Sequence, residues 1–405
     1  MKKKVLIGIL AGLLALIVIV VVVLVAPKMF CKHDDPTKIV TVKGKEATCQ
    51  ENGLSSGQKC NACGTMVIPQ TIINNSNGCF DYDLNDDGTY SIFRNDSCIH
   101  TDIVLPETYK GAAVTNIGER AFLNCTSLTS VVIPDSVTSI GDSAFDGCTS
   151  LTNIEIPNSV TSIGVEAFYD CSSLSNVYFT GNIENWLGIT FKNSVSNPII
   201  YGANLYFNNK LVTEIEIPDS VTSIGDWTFY KCKLLTSVVI PDSITSIGYY
   251  AFHECISLSR IEVDTKNQYF RSIDGNLYTK DGKTLMNYAI GKEATSFKIP
   301  DSVINIGDSA FYGCRSLTSI EIPDSVTSIA YGGFLNCDSL TSIVIPDSVT
   351  NIDRYAFFAC TSLTIYCEAT SKPSGWNDTW NLLNRYDFSY NEGDRIPVVW
   401  GYKGN

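Results

Sequence analysis

The chain has 405 residues, 15 of them cysteine, and a formal net charge of −13. So acidic a chain lacks the excess of Lys and Arg that nucleic-acid phosphates and anionic lipid surfaces demand. We therefore expect no nucleic-acid partner and no electrostatic docking on a membrane.

Residues 1–27 have the pattern of a membrane anchor. Lys2–Lys4 precede an unbroken apolar run from Val5 to Ala26. As a helix rising about 1.5 Å per residue, this run is long enough to cross a bilayer core. The positive-inside rule keeps the lysines in the cytoplasm, which predicts a retained single-pass anchor with the remainder of the chain extracellular. A long signal peptide that is removed is the alternative, and it exports the chain equally.

Residues 28–70 are predicted to form a small Cys/His-rich module. Its candidate metal ligands, of the types that bind tetrahedral zinc, are His33, Cys49, Cys60 and Cys63. The spacing is irregular, so two disulfides among these cysteines and Cys31 are the alternative. A zinc ion with four protein ligands would be structural, and no other cofactor is expected.

Residues 71–103 are predicted to form an N-terminal capping hairpin. Two segments of alternating polarity flank the turn sequence Asn85-Asp86-Asp87-Gly88. Such a hairpin would close the open end of the repeat array that follows. Cys79 and Cys98 lie outside the repeats and are candidates for a disulfide.

From residue 104 to 367 one phrase recurs, and the copy at 128–148 reads LTSVVIPDSVTSIGDSAFDGC. The repeat phenylalanines are Phe122, Phe145, Phe168, Phe229, Phe252, Phe311, Phe334 and Phe357, and five of the seven intervals between them are 23 residues. A fixed period of this length predicts a solenoid, in which each unit buries its apolar side against its neighbours.

Within one coil, the β-branched segment 128–133 predicts a short strand with Val132 facing outward. Gly141 is predicted to allow a tight bend into a single helical turn that carries Phe145 inward. A cysteine follows each repeat phenylalanine by three residues, which predicts a buried ladder of free thiols. The eight cysteines are Cys125, Cys148, Cys171, Cys232, Cys255, Cys314, Cys337 and Cys360.

The repeat pattern L-x-x-I-x-I-P-x-x-V-x-x-I-G-x-x-A-F-x-x-C resembles the BspA-type leucine-rich repeats of bacterial surface proteins. The resemblance covers about residues 104–367. It implies a leucine-rich-repeat solenoid with short parallel strands, displayed at a cell surface and acting in adhesion or binding.

Two intervals exceed the period, which places inserts near 181–212 and 264–293. The first is predicted to hold a hairpin turning at Asn208-Asn209, and the second a meander with turns at Asp274-Gly275 and Asp281-Gly282. The inserts either project at the binding face or merely extend the sheet. Residues 368–405, with Trp376, Trp380 and Trp400, are predicted to form a C-terminal cap.

The outward strand position is the candidate ligand surface. The residues there are Val132, Glu155, Tyr178, Glu216, Val239, Glu262, Lys298, Glu321 and Val344. Threonines such as Thr129, Thr152, Thr318 and Thr341 flank this stripe. It is a candidate for binding a protein or a glycan, and ordinary solvated sheet surface is the alternative.

Catalytic residues cannot be assigned, because the three histidines fit no Ser-His-Asp arrangement and no Gly-rich phosphate loop is present. We therefore expect a protein that is not an enzyme. The sequence favours a membrane-anchored extracellular repeat protein that binds a macromolecular ligand. A structural spacer and the targeting arm of an exported enzyme are the alternatives.

Overall fold

The computed structural model describes residues 79–95, 100–383 and 395–404, together with the backbone of five short strands nearer the N-terminus. The chain divides into two compact units, the first comprising 1–46 and 53–72 and the second the remaining residues. In the first unit, Ile39–Val42 and Met66–Ile68 flank Gly57–Cys60 in an antiparallel sheet. The rest of the fold concerns the second unit.

The secondary structure is almost entirely short strands. In chain order the strands are β1 (Ile39–Val42), β2 (Gly53–Leu54), β3 (Gly57–Cys60), β4 (Met66–Ile68), β5 (Ile72–Ile73), β6 (Phe80–Leu84), β7 (Tyr90–Arg94), β8 (Asp102–Val104), β9 (Thr108–Tyr109), β10 (Ala112–Ile117), β11 (Ser130–Val132), β12 (Ser139–Ile140), β13 (Asn153–Ile156), β14 (Ser162–Ile163), β15 (Asn176–Phe179), β16 (Thr190–Phe191), β17 (Asn204–Phe207) and β18 (Lys210–Leu211). They continue as β19 (Glu214–Glu216), β20 (Ser223–Ile224), β21 (Ser237–Ile240), β22 (Ser246–Ile247), β23 (Arg260–Val263), β24 (Phe270–Ile273), β25 (Asn276–Thr279), β26 (Thr284–Asn287), β27 (Ser296–Lys298), β28 (Asn305–Ile306), β29 (Ser319–Glu321), β30 (Ser328–Ile329), β31 (Ser342–Ile345), β32 (Asn351–Ile352), β33 (Thr364–Cys367), β34 (Gly375–Trp376) and β35 (Val398–Trp400).

Each regular coil has three walls around an apolar core, which confirms the predicted repeat solenoid. The first sheet wall holds the longer strand, such as β11, which pairs in parallel with β8 and β13. The second sheet wall holds a two-residue strand, such as β12, which pairs in parallel with β10 and β14. Consecutive turns form the third wall, here called the turn wall. The predicted strand is therefore present, and a second strand that was not predicted lies beside it.

The predicted single helical turn in each coil is wrong. The turn wall contains two residues per coil with left-handed backbone, such as Ser143 (φ 50°) and Gly147 (φ 71°), and a right-handed helix cannot accommodate them. Its amides instead reach the next coil, as where Phe145 N donates to the Ala167 carbonyl oxygen at 2.8 Å. Among the described residues the one α-helix is α1 (Ile183–Leu187), which lies in the first insert beside a 3-10 helix at Ser194–Ser196.

The repeat glycine allows close packing between coils. The predicted role in a tight bend is not seen, because neither Gly141 nor Gly164 has a left-handed backbone. A Cβ built on Gly141 would lie 2.7 Å from the Glu119 backbone nitrogen of the preceding coil. A Cβ on Gly164 would similarly lie 2.5 Å from the Asp142 nitrogen. Both positions are tight because hydrogen-bonded coils stack directly on one another.

A column of aromatic rings runs through the aliphatic core. Phe145 is fully buried and stacks on Phe122 and Phe168, with ring centroids 5.2 and 5.3 Å away and nearly parallel planes. The column stops at each insert. Phe252 stacks on Phe229 at 5.8 Å, and a separate column then begins with Tyr288 against Phe311 at 5.3 Å.

The repeat cysteines are free and buried, as predicted. The thiol of Cys148 donates to the carbonyl oxygen of Phe122 in the preceding coil at 3.2 Å, and Cys171 does the same to Phe145 at 3.1 Å. Burial raises the pKa of the Cys171 thiol to about 12, so it keeps the proton that it donates. The thiols of Cys255, Cys337 and Cys360 make equivalent bonds.

The inserts divide the solenoid into three blocks. Block 1 contains β6 to β18, block 2 contains β19 to β23, and block 3 contains β24 to β35; none of the described sheets continues from one block to the next. We call the two boundaries the first and second seams. The buried core is also divided near the second seam, between Leu277 and Tyr278.

Both inserts extend the sheet walls. The first adds a long coil in which Asn204 of β17 pairs with Asn176 of β15, and β17 then turns at Asn208-Asn209 into antiparallel β18. The second forms the meander β24–β25–β26, with left-handed residues at Asp274-Gly275 and at Gly282. Strand β26 then starts the second sheet wall of block 3 by pairing with β28.

Where the sheets stop, side-chain hydrogen bonds link one block to the next. At the first seam, Trp186 Nε1 donates to the Thr228 carbonyl at 3.1 Å, and Asn197 Nδ2 donates to the Trp227 carbonyl at 2.8 Å. At the second seam, His253 Nε2 lies 3.1 Å from the Ser309 carbonyl oxygen. These bonds satisfy turn-wall carbonyls that, in a regular coil, would accept from the turn-wall amides of the preceding coil.

The ends of the second unit are covered. At the front, β6 and β7 form an antiparallel hairpin, and β7 pairs with β10 of the first coil. Cys79 is disulfide-bonded, and its predicted partner Cys98 lies outside the described residues. At the back, Trp376, Trp380 and Trp400 end the second sheet wall, the turn wall and the first sheet wall, respectively.

Candidate ligand-binding surface

The candidate surface is built by the alternation of side chains along the first sheet wall. In β11 and the residue after it, Val131 and Ile133 are buried while Val132 is 36% exposed. All nine predicted outward residues lie on this solvent side of the wall. Tyr178 and Val239 are half-buried, and the other seven are exposed.

Strand register places these residues side by side and extends the set. Val132 lies opposite Glu155, Glu155 opposite Tyr178, and Tyr178 opposite Tyr206. Val104, Tyr206, Tyr366 and Val399 also occupy this position and were not predicted. The similarity of Asn204-Leu205-Tyr206-Phe207 to Asn176-Val177-Tyr178-Phe179 was a signal for Tyr206, although the long coil between them hides it from a search at one fixed period.

Block 1 carries the most distinctive part of the stripe. The rings of Tyr178 and Tyr206 stack with centroids 4.7 Å apart. Partial burial, and then the neighbouring Asp135 charge, raises the pKa of Glu155. We refer to Val132, Glu155, Tyr178 and Tyr206 as the tyrosine–glutamate patch. It presents stacked aromatic rings beside an exposed carboxylate.

Other outward acids are paired with basic side chains. Glu262 lies 3.1 Å from Arg260, and Glu321 lies 2.9 Å from Lys298. Within the described part of the chain, neither Glu155 nor Glu216 forms an ion pair. The unpaired negative charge of the outward column is therefore concentrated in blocks 1 and 2.

The threonine rows beside the stripe are engaged within the protein. Thr129 Oγ1 donates to the Thr101 carbonyl at 3.1 Å, and Thr318 Oγ1 donates to the Thr295 carbonyl at 3.0 Å. Asparagine amides also link neighbouring coils, as where Asn176 Nδ2 donates to Asn153 Oδ1 at 2.8 Å. These side chains support the stacking of coils.

The predicted sites near the N-terminus fall outside the described residues. This applies to the apolar run 5–26 and to the side chains of His33, Cys49, Cys60 and Cys63, although Cys60 ends β3. In the ranges that the structure does describe, no cluster of three or more His, Cys, Asp or Glu side chains is arranged for a metal ion. The same ranges contain no helix that is long and apolar enough to span a bilayer.

The chain is similar to solved structures of bacterial repeat proteins. A leucine-rich repeat protein from Eubacterium ventriosum is 26% identical, covers 73% of this chain and 72% of its own, and superimposes with a TM-score of 0.47. A leucine rich cell surface protein from Faecalibacterium prausnitzii is 28% identical, covers 81% of this chain and 97% of its own, and gives a TM-score of 0.49.

A search among curated proteins returned no match. The sequence profile described as "BspA type Leucine rich repeat region (6 copies)" matches residues 89–206, 200–281 and 287–370. These matches cover well over half of the chain and all three blocks. The chain therefore belongs to the BspA-type leucine-rich repeat family.

Proposed function

We propose that this protein is anchored in the cell membrane by residues 5–26 and displays its repeats outside the cell, where the first sheet wall binds a protein or glycan ligand. The tyrosine–glutamate patch is the centre of the contact surface. The proposal assigns no catalytic role and no nucleic-acid partner.

The observation that carries the proposal is the patch itself. Tyrosine is enriched in the energetically dominant part of interfaces, because its ring offers a large contact area and its hydroxyl a hydrogen bond. Here two such rings are already stacked before any ligand binds, so little side-chain entropy remains to be lost. Glu155 beside them supplies a charge that fixes the orientation of a partner.

Adhesion of bacteria that express the full-length chain tests the patch. The readout is attachment to a panel of immobilised extracellular matrix proteins and to a glycan array. We expect Tyr206→Ser to lower the affinity for the bound component by about tenfold, as for a central interface tyrosine. Glu155→Lys should mainly slow association, because it reverses the steering charge.

Glu321→Lys is the matched control. It changes the same strand position in block 3, where the acid is already paired with Lys298. It should leave adhesion within about twofold, since rim charges contribute little. Equal adhesion by all three variants would show that the sheet wall is not the contact surface and would favour a spacer.

The anchor has its own test. Protease treatment of intact cells should remove a C-terminal tag, while a tag placed before Lys2 stays protected. The chain should remain in the membrane fraction after a carbonate wash. Release of a shortened chain into the medium would instead identify residues 1–26 as a cleaved signal peptide.

Residues 31–63 are proposed to hold a structural zinc ion through His33, Cys49, Cys60 and Cys63, with disulfides as the alternative. Elemental analysis of the purified protein, combined with thiol titration, distinguishes them. One zinc per chain with reactive thiols after chelation supports the metal site. Absence of zinc together with oxidised cysteines excludes it.

A further inference from the structure

The turn wall opens into a cleft of about 410 Å³ beside the second seam, a volume within the range of small-ligand sites. Its aromatic lining residues are Trp227, Tyr249, Tyr250 and Tyr331, and its acidic ones are Asp226, Asp308 and Asp353. We call it the seam cleft. It lies on a different wall from the tyrosine–glutamate patch, so it requires an explanation of its own.

The cleft exists because the repeat is interrupted. In regular coils the turn wall of one coil is covered by the turn wall of the next, 23 residues on, as where Ser143 N donates to the Val165 carbonyl. At the second seam the next turn wall comes from Ser309, which lies 59 residues beyond Tyr250. The hydroxyls of Ser309 and Tyr250 are 3.4 Å apart, so the two blocks touch here, and both residues line the cleft.

Block 2 supplies a rigid aromatic surface to the cleft. Trp227 and Tyr250 both occupy the left-handed position of the turn wall, with φ of 62° and 56°, where block 1 has the smaller or polar side chains of Ser143 and Glu166. Bulky residues rarely adopt this backbone conformation. The two rings stack in parallel at 4.5 Å, and Tyr249, which is 66% exposed, extends the surface at the mouth.

The charge of the cleft is negative. Three carboxylates face one guanidinium, that of Arg354. Burial lowers the pKa of His253 to about 4, so this residue is neutral and does not offset the acids. Burial, and then the charge of Asp353, raises the pKa of Asp308, as expected for carboxylates placed near each other.

The protein itself shows which chemistry fits there. The guanidinium of Arg354 lies 5.4 Å from the centroid of the Tyr331 ring, a cation–π distance. Cations are attracted both by carboxylates and by the faces of aromatic rings, so the two kinds of lining residue act in the same direction.

We propose that the seam cleft binds the side chain of an arginine or lysine presented by a partner protein. The alkyl part of the side chain packs against the Trp227–Tyr250 pair, and the charged head lies among Asp226, Asp308 and Asp353. Arg354 occupies part of this site in the free protein and moves aside. A neutral glycan would also stack on aromatic rings, but it would gain nothing from three carboxylates, and the test separates the two.

Calorimetric titration of the full-length protein with N-acetyl-arginine methylamide tests the proposal, with N-acetyl-citrulline methylamide as the uncharged control of the same shape. We expect saturable millimolar binding of the arginine compound, at least tenfold tighter than that of the citrulline compound, and weakening as salt is raised. Equal binding of the two compounds, or no binding of either at 50 mM, would overturn the proposal.

Two variants and a control locate the site. Asp226→Asn should weaken binding of the arginine compound about three- to tenfold. Asp142→Asn should not change it, although Asp142 occupies the same repeat position and its Oδ1 likewise accepts a hydrogen bond from the next coil at 2.7 Å. Arg354→Gln should strengthen binding about threefold, since it removes the internal competitor.

The Arg354→Gln result is the most discriminating one, because a variant that is partly unfolded does not bind the arginine compound more tightly. Weaker binding by Arg354→Gln, or an equal loss for Asp142→Asn and Asp226→Asn, would place the arginine compound elsewhere. Calorimetric binding of a neutral oligosaccharide that is weakened by Asp226→Asn, with no binding of the arginine compound, would identify the cleft as a glycan site. That result would also reject the proposal. The unfolding midpoint of each variant confirms that it is folded.

Discussion

The regular coils of block 1 and the coils on either side of the second seam are made from the same repeat, yet they differ in what each residue does. In block 1, Phe145, Gly141 and Cys148 each contact the coil before or after them. At the seams the equivalent residues lack one of those neighbours. The comparison indicates that the repeat sequence encodes contacts between coils, and that breaks in the repeat leave side chains and space available for binding.

The largest expected effect is in the aromatic column. Phe145→Ala should lower the free energy of unfolding by about 3–5 kcal/mol, because it leaves a large cavity between two stacked rings. Phe252→Ala should cost less by about 1 kcal/mol, since Phe252 has one aromatic neighbour in its column. Urea unfolding followed by circular dichroism measures both. Equal costs would mean that ring stacking between coils contributes little.

The repeat glycine gives a second contrast. Gly141→Ala should destabilise by about 1–3 kcal/mol, because the new Cβ meets the backbone of the preceding coil. Gly225→Ala should be nearly neutral, since its nearest neighbour is Thr228 Oγ1 at 3.3 Å within its own coil. Ala330 occupies this repeat position in block 3, so a shift of the backbone can accommodate a Cβ there. Thermal unfolding midpoints decide whether the cost depends on a preceding coil.

The thiol ladder predicts a smaller difference. Cys337→Ala removes a hydrogen bond to the Phe311 carbonyl at 3.1 Å and should cost about 1 kcal/mol more than Cys314→Ala. Cys314 begins the ladder of block 3, and the structure shows no equivalent bond from its thiol among the described residues. Cys337→Ser, which retains a donor, should recover part of the loss in the same urea experiment.

The smallest expected effects concern pH. Hydrogen bonds from Ser130 and then from Thr129 and Thr101, acting against partial burial, lower the pKa of Asp102. Its stabilising contribution is therefore present at neutral pH and is lost as pH falls through the lowered pKa. The raised pKa of Glu155 has the opposite sign, because its ionised form is disfavoured in the folded state. Asp102→Asn should destabilise and Glu155→Gln should slightly stabilise at pH 7, and both differences should vanish in acid.

The sequence predicted the buried positions that recur at each period, and it missed the backbone conformation of the turn wall. The spacing of Phe145 and Cys148 identified the column and the thiol ladder, since identical offsets place residues at identical points of successive coils. The outward position of Val132 followed from strand alternation. The helical turn was wrong because Ser-Ala-Phe and Gly-Cys resemble a capped helix locally, while stacking on neighbouring coils favours left-handed residues.

The seam cleft was not predictable for a different reason. Its lining residues lie as far apart in the sequence as Trp227 and Asp353, and they meet where the second insert interrupts the turn wall. In the sequence, Tyr250 occupies a repeat position whose residue type varies from coil to coil. A search for aromatic residues at the left-handed position of the turn wall would have indicated it.

The two seams also bear on how the protein responds to mechanical force. Within a block, pulling on the chain must break parallel ladders and turn-wall hydrogen bonds together. No described sheet crosses the first seam, where side-chain bonds such as that of Trp186 link the two blocks. Extension should then proceed in discrete steps that begin at the seams, because neighbouring repeats stabilise one another only where they are in contact. A repeat protein built in this way would lengthen under load while each block stays folded.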